Sequence, residues 1–560
     1  MEQRADVVLC WHMHQPDYRD HATGEFTQPW VYLHALKDYA DMAAHLERHP
    51  GMRAVVNLVP VLLDQLEDYA DQFATGTLRD PLLRLLARDE STLLSRPERE
   101  LVVAQCFRAN HEKMVQPFPP YKGLHDLFLA LEHQGRDSID YLSDRYCHDL
   151  VTWYHLAWMG ETVKRECALV TRMMAEGVGF TVADRRALFA LVGEIVSGTI
   201  ARYARLAADG RIELSTTPHY HPLAPLLIDF HSAREARPDS PLPASGDYPG
   251  GEARVRAHLD AALASHARRF GAAPAGVWPA EGAISAPLLQ LLAERGIRWT
   301  ASSESVLRNS LGAAGTPVLG HRPWRLTGTA LACFFRDDRL SDLIGFEYSK
   351  WHGDEAAAHF VGELEAIAAH AAPGETPLVS VILDGENCWE FYPYNGFYFL
   401  DALYGELAAH PFLRTTTFAA AADGAAVSEL PHLVAGSWVY GDFTTWIGSP
   451  EKNRAWDLLV AAKQAFDLVV ASGRLTDAER AAAERALANC EGSDWFWWMG
   501  DYNPAFAVAS FDRLYRADLA LLYRLLKLPV PATLAEPISR GTGHPELGGT
   551  MRRASEHSPA

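Results

Sequence analysis

Short apolar, β-branched runs recur at residues 7–11, 54–59, 212–216, 276–278, 298–301 and 378–383, and stretches of helical composition separate them. A run that is apolar on both faces belongs to a strand covered on both sides. Strands alternating with helices predict an α/β fold, a mostly parallel sheet or barrel wrapped by helices, rather than an antiparallel sandwich.

The spacing of the runs is uneven. Residues 62–208 are rich in Leu, Ala, Arg and Glu with few strand-like runs, and so predict a helical insertion between early strands, covering one side of the barrel. Residues 232–251 are dense in Pro, Gly, Ser and Asp, which is loop chemistry. The pattern changes after about residue 410. Ser449 precedes Pro450 as an N-cap, and Ala455, Leu458, Leu459, Ala462, Ala465, Phe466 and Val469 trace one buried helical face. Thr476 and Glu479 form a second capping signal. The expected organisation is a barrel over 1–410 carrying the insertion, a C-terminal helical domain over 411–535, and a disordered tail over 536–560.

Composition narrows the partners. A net charge of −20 repels phosphate backbones and anionic headgroups, which argues against nucleic acid and membrane surfaces and is indifferent to a neutral carbohydrate. No window reaches the about 18 consecutive apolar residues of a membrane span. The 7 cysteines are scattered, without a CxxC pair, and read as free thiols of a cytoplasmic protein. Nothing in the pattern fixes an oligomeric state.

Four polar groups lie at or beyond strand ends, where barrel folds place reactive side chains. The first is Trp11-His12-Met13-His14-Gln15-Pro16, whose two histidines share one side of an extended segment. The second runs from Gly210 through Glu213 to His219, Tyr220 and His221; an acid inside an apolar strand is costly unless paired or functional. The third, Trp278-Pro279-Ala280-Glu281-Gly282, sits at a strand exit. The fourth follows residues 378–383 with Asp384-Gly385-Glu386-Asn387-Cys388-Trp389-Glu390, in a segment crowded with aromatic rings. Rings that stack on sugar faces, mixed with carboxylates and amides that bind hydroxyls, suit a glycan. Glycoside cleavage needs two carboxyl groups, one to protonate the leaving oxygen and one to attack or to activate water. Spacing alone leaves Glu213, Glu281, Asp384, Glu386 and Glu390 as rivals.

Across most of residues 1–530 the sequence resembles glycoside hydrolase family 57, the α-amylase, amylopullulanase, 4-α-glucanotransferase and branching-enzyme group. WHMHQP is similar to the family's first conserved region, GRIELSTTPHYHPLAPLL to its second, VWPAEGAIS to its third and LDGENCWEFYPYNG to its fourth. The fifth lies in GSWVYGDFTTWIG, and SDWFWWMGD resembles the C-terminal helical part. The resemblance implies an incomplete TIM-like (β/α)7 barrel, Glu281 as nucleophile, Asp384 as general acid/base, anomeric retention and no catalytic metal or other cofactor. It further implies an oligo- or polysaccharide α-glucan substrate, with α-1,4 or α-1,6 bonds, bound by His12, His14, Gln15, Glu213, His221, Trp278, Trp389, Trp438 and Trp446. Water as acceptor gives hydrolysis, the amylase-like expectation; a sugar hydroxyl gives glucanotransferase or branching activity. Two readings of other classes compete: a zinc-dependent hydrolase using His12 and His14, and a glucan-binding regulator without turnover.

Overall fold

In the computed structural model, residues 4–132, 136–312, 320–424, 427–500, 502–541 and 551–554 are described. Ten strands are β1 (Ala5–Met13), β2 (Ala54–Leu58), β3 (Ile212–Ser215), β4 (Gly276–Val277), β5 (Trp299–Ser303), β6 (Trp324–Leu326), β7 (Ala332–Arg336), β8 (Leu378–Asp384), β9 (Leu413–Thr415) and β10 (Ser428–Leu430). The central run β3-β2-β1-β8 is parallel throughout, and so is β7-β5-β4. A parallel bridge from Thr216 to Val277 joins β3 to β4. Between β7 and β8 the ring closes more loosely, through Asp337 N–H on Ser380 O at 2.7 Å and Arg336 Nε on Ile382 O at 2.8 Å. The result is an incomplete (β/α)7 barrel, with β6 and β10 appended beside β7.

Side chains alternate along each strand, so every second residue points into the barrel. Val8, Cys10, Val55, Trp299, Ala301, Ala332, Phe334, Leu378 and Ile382 fill that interior as one dry cluster, and Phe418 and Ala421 plug its floor from the Phe418–Gly424 helix. Strand β4 is short because the Trp299 indole lies across it: a Cβ on Gly276 would stand 1.8 Å from the ring, so only glycine fits. The opposite faces of the strands join the large outer core with the helices.

Between β2 and β3 the described residues hold helices and no strand. The longest is Val182–Ala208, opened by the Thr181/Asp184 capping box. It departs from expectation in one respect: by length and composition it is apolar enough to cross a membrane. Here it buries Leu188, Val192, Val196 and Tyr203 and packs along the Pro60–Thr75 helix.

The boundary expected at residue 410 falls too early, because β9 pairs with β1 and β10 pairs with β6. Strands of three residues carry too little periodicity to be seen in sequence. The C-terminal helices are Pro450–Ala471, Asp477–Cys490, Ser493–Trp498 and Ala505–Leu525, with the Ser449 cap and the Thr476/Glu479 capping box in place. Of the tail expected to be disordered, residues 542–550 and 555–560 lie outside the described residues. Ile538 and Ser539 instead donate backbone N–H groups to Asp512, and Ala554 is buried with its N–H on Asp342.

Candidate active site

Strand register assembles the site. His12 of β1 is the register partner of both Asn57 on β2 and Asp384 on β8, and Asn57 in turn pairs with Ser215 on β3. This layer lies at the C-terminal rim of the barrel. Asp384 ends its strand there, and Asn387 Nδ2 donates to Asp384 Oδ2 at 2.8 Å. Burial pushes the Asp384 carboxyl up to about 6, against the Asn387 hydrogen bond and the charges of His14 and Arg336.

Glu281 enters from the loop after β4 in a left-handed conformation, φ 58° and ψ 24°, uncommon for a residue with a Cβ. Trp438 holds it at both ends: the Trp438 backbone N–H donates to Glu281 O at 3.0 Å, and its indole Nε1–H donates to Glu281 Oε2 at 2.9 Å. Such a conformation persists where the surroundings over-determine it. Burial raises the Glu281 carboxyl to about 8; Trp438 opposes the rise, and the negative charges of Asp384 and Asp494 add to it. The two carboxyl groups therefore lie close enough to feel each other's charge.

Three imidazoles line the space beside them. His14 and His221 stack with centroids 3.8 Å apart, and His221 Nε2 lies 3.2 Å from His12 Nε2. His12 Nδ1 meets Asn57 Oδ1 at 2.7 Å, and His221 Nδ1 meets Ser493 Oγ at 2.7 Å and stands 4.0 Å from Glu281 Oε1. Burial pushes His12 down to about 3 and His221 well down from the usual range, so both rings are neutral. His14 Nε2 binds the Asp494 carboxylate at 2.9 Å.

Ser493 and Asp494 were not anticipated from sequence. They come from the C-terminal helices, delivered by an antiparallel bridge between Pro222 and Gly492 and by the Ser493 N–H on His221 O. The preceding Glu491 anchors that junction. Burial disfavours its charge, but Arg254 and His258 outweigh burial and hold Glu491 at about 2. SDWFWWMGD is dominated by tryptophans, yet its two small polar residues are what reach the barrel.

Several expected contacts stand elsewhere. Glu213 sits in the layer of Cys10, Val55 and Ile382, one layer below the rim, where it accepts from Trp299 Nε1 at 2.5 Å and from the Ala419 N–H at 2.9 Å. It caps the helix that plugs the barrel floor. Trp446 is fully buried against Trp497, and Trp389 is buried between Trp11 and Tyr392 with its Nε1–H on Gly385 O; neither offers a free face to a sugar. Trp278 is likewise buried and backs Trp438 and His12 from behind. The buried Gln15 amide donates to Glu386, whose Oε1 also accepts from Tyr39 and from the His14 N–H. Gln15 and Glu386 thus fix the loop that carries His14. His14, Glu281, Asp384, Asn387, Trp438 and Asp494 remain partly exposed at the rim. A cavity of about 950 Å³ opens at the opposite end of the barrel, beside Asp6, Leu378 and Arg414, and none of these residues lines it.

A profile described as glycosyl hydrolase family 57 matches residues 8–430. The chain belongs to glycosyl hydrolase family 57. No curated protein sequence matches this family member. Among solved structures, it is similar to a GH57 branching enzyme from Thermococcus kodakaraensis, crystallised with glucose, at TM-score 0.59 and 16% identity over 94% of this chain and 90% of that one. The branching enzyme of Pyrococcus horikoshii gives 0.56 and 17% over 96% and 98%. The α-amylase AmyC of Thermotoga maritima gives 0.56 and 13% over 94% and 96%. At such identities the likeness shows that this family 57 chain shares their fold.

Proposed function

We propose that the chain is a retaining α-glucan-active enzyme in which Glu281 is the nucleophile and Asp384 the general acid/base. The observation that carries this reading is the pair of partly exposed carboxyl groups at separate rim positions, each raised by burial, with the charge of Asp384 adding to the rise on Glu281. In the first step Asp384 gives its proton to the glycosidic oxygen while Glu281 attacks the anomeric carbon, forming a glycosyl ester and releasing the aglycone sugar. Asp384, now ionised, takes a proton from the acceptor, which displaces Glu281 and restores the anomeric configuration. The Trp438 Nε1–H favours the charged form of Glu281 against the burial that raises it, and His14, fixed by Asp494, faces the same space.

Water as acceptor makes the enzyme an α-1,4 glucan hydrolase, the reading we adopt. A glucan hydroxyl in the same place would make it a glucanotransferase or branching enzyme. The zinc reading has less support. His14, His221 and Asp494 do bring ligand atoms within 4.8 Å of one another. The two rings are nearly parallel, at 16°, so their in-plane lone pairs do not converge on one tetrahedral centre.

Glu281→Ala and Asp384→Ala should each abolish turnover of maltoheptaose, and a 5-fluoroglucoside should leave a glycosyl adduct on the peptide that contains Glu281. Wild-type turnover in either variant, or an adduct on another residue, refutes the assignment. Product profiles on maltoheptaose, amylose and pullulan then separate hydrolysis from transfer, and α-1,4 from α-1,6 cleavage.

A further inference from the structure

Away from the cleft, a second group of ligand-type side chains meets between the Ala40–Arg48 helix and the Phe397–Ala409 helix. His45 and the helix-ending His49 are four residues apart, a spacing that sets two side chains on one helical face. Asp401 faces them from the second helix, and one ligand atom of each residue lies within 4.8 Å of the other two. His49 Nε2 stands 2.9 Å from Asp401 Oδ1.

His45 is the unusual member. Its side chain is 0% exposed, and neither Nδ1 nor Nε2 has a hydrogen-bond partner. A neutral imidazole carries one N–H and one lone pair, and burying both unmet is unfavourable. The surroundings do not supply the missing partner. Phe397 and Tyr404 wall the ring at 5.2 and 6.4 Å, and the Tyr404 hydroxyl accepts from Trp11 Nε1 and makes no hydrogen bond to the imidazole. Asp41, one turn earlier, accepts from the Glu161 and Thr162 N–H groups and from Asn395. Arg48 reaches Glu166 and lies 4.9 Å over the Phe397 ring.

We propose that His45, His49 and Asp401 bind a divalent transition-metal ion, zinc foremost, that ties the Ala40–Arg48 helix between β1 and β2 to the helix following the Asp384 loop. Two imidazoles and a carboxylate are a zinc donor set, with bonds of about 2.0–2.2 Å. The ion replaces the His49–Asp401 hydrogen bond and gives a stranded His45 nitrogen its partner. Room to close around it exists at the outer edge: His49 ends its helix in a non-helical conformation, φ −113° and ψ 76°, and the Asp401 side chain is 46% exposed. That exposure also admits water as a fourth ligand. The site makes no contact with the proposed chemistry, so its test needs no glucan turnover.

The full chain, stripped with a chelator, is titrated with Zn²⁺ and with Co²⁺ as wild type, Asp494→Asn, and the double variants Asp494→Asn/Asp401→Asn and Asp494→Asn/His45→Phe. The Asp494→Asn background removes the carboxylate of the histidine group in the cleft. It should retain one equivalent of zinc, show the visible absorption of low-coordinate Co²⁺ and gain Tm on adding Zn²⁺. Both double variants should lose all three responses. Because Asp401 is half-exposed, its change to Asn leaves the fold intact even where His45→Phe perturbs packing. Zinc binding and Tm gain in the Asp401 double variant equal to those of its parent, or neither response in the parent, overturns the proposal.

Discussion

Trp438→Phe keeps an aromatic ring against Trp278 and removes the one hydrogen-bond donor of the side chain, the Nε1–H that reaches Glu281 Oε2 at 2.9 Å, along with part of the indole's bulk. A hydrogen bond to a charged group contributes about 1.5–3 kcal/mol, so ionised Glu281 loses the equivalent of about 1–2 pKa units of stabilisation. With Asp384 raised to about 6 and Glu281 to about 8, the pair shares a single proton between those values. The wild type should therefore give a bell-shaped kcat/KM profile with limbs near 6 and 8. Below the acid limb both groups are protonated and no nucleophile exists; above the alkaline limb both are charged and no acid exists. Turnover needs the shared proton on Asp384 and the charge on Glu281. The variant disfavours every state with ionised Glu281 by the same energy, so the productive share falls about 10- to 150-fold. The alkaline limb, where the last proton leaves, climbs about 1–2 units by the same energy. The acid limb, set by Asp384, stays in place. Height and limb must move together, a tenfold fall for each unit. Maltoheptaose does not titrate, so reducing-end assays across the pH range read the enzyme alone. A fall in rate with an unmoved or lowered alkaline limb would refute the claim that this N–H acts by holding charge on Glu281.

Asn387→Ala removes the opposite support, the donor 2.8 Å from Asp384 Oδ2, so the acid limb should move up by about 1 unit while the alkaline limb stays; a downward shift in the same assay counts against the pairing. Glu213→Gln keeps an acceptor for only one of the Trp299 and Ala419 N–H groups, and urea unfolding should show a loss of about 1–3 kcal/mol with kcat/KM unchanged. A lowered kcat/KM at full folding would return Glu213 to the cleft. Trp446→Ala should lower stability by about 3–5 kcal/mol and leave KM for maltooligosaccharides as it was, since the ring is core; a raised KM with an unchanged Tm would make it a subsite.

Six of the seven barrel strands were legible because runs such as residues 7–11 and 378–383 are apolar on both faces, which only a doubly covered sheet requires; the seventh, β7, is buried throughout but was not among the runs expected. The appended strands β6, β9 and β10 were not, since each spans three residues and shows no period. Aromatic clusters misled in a consistent direction. Trp389 and Trp446 lie in segments dense in rings, and sequence cannot separate a ring that meets a sugar from one that meets another ring. Ser493 and Asp494 were hidden by the same density and by their distance along the chain from the barrel strands.

Glu213 exposes a more general limit. Alternation predicts which residues of a strand point inward, and both Glu213 and Ser215 do. It says nothing of height, and two residues along a strand are about 6.5 Å. That step separates the rim layer of His12, Asn57, Ser215 and Asp384 from the dry layer of Cys10, Val55 and Ile382. At the rim a carboxyl group meets the cleft; one layer lower it meets an indole and a helix end and becomes part of the scaffold. Height is set by the register between strands hundreds of residues apart in sequence. An inward acid in a barrel strand is therefore a catalytic candidate only once its register partner is known; here Glu213 pairs with Val55 in the dry layer, while Asn57, paired with Ser215, ties β3 to the histidine layer above it.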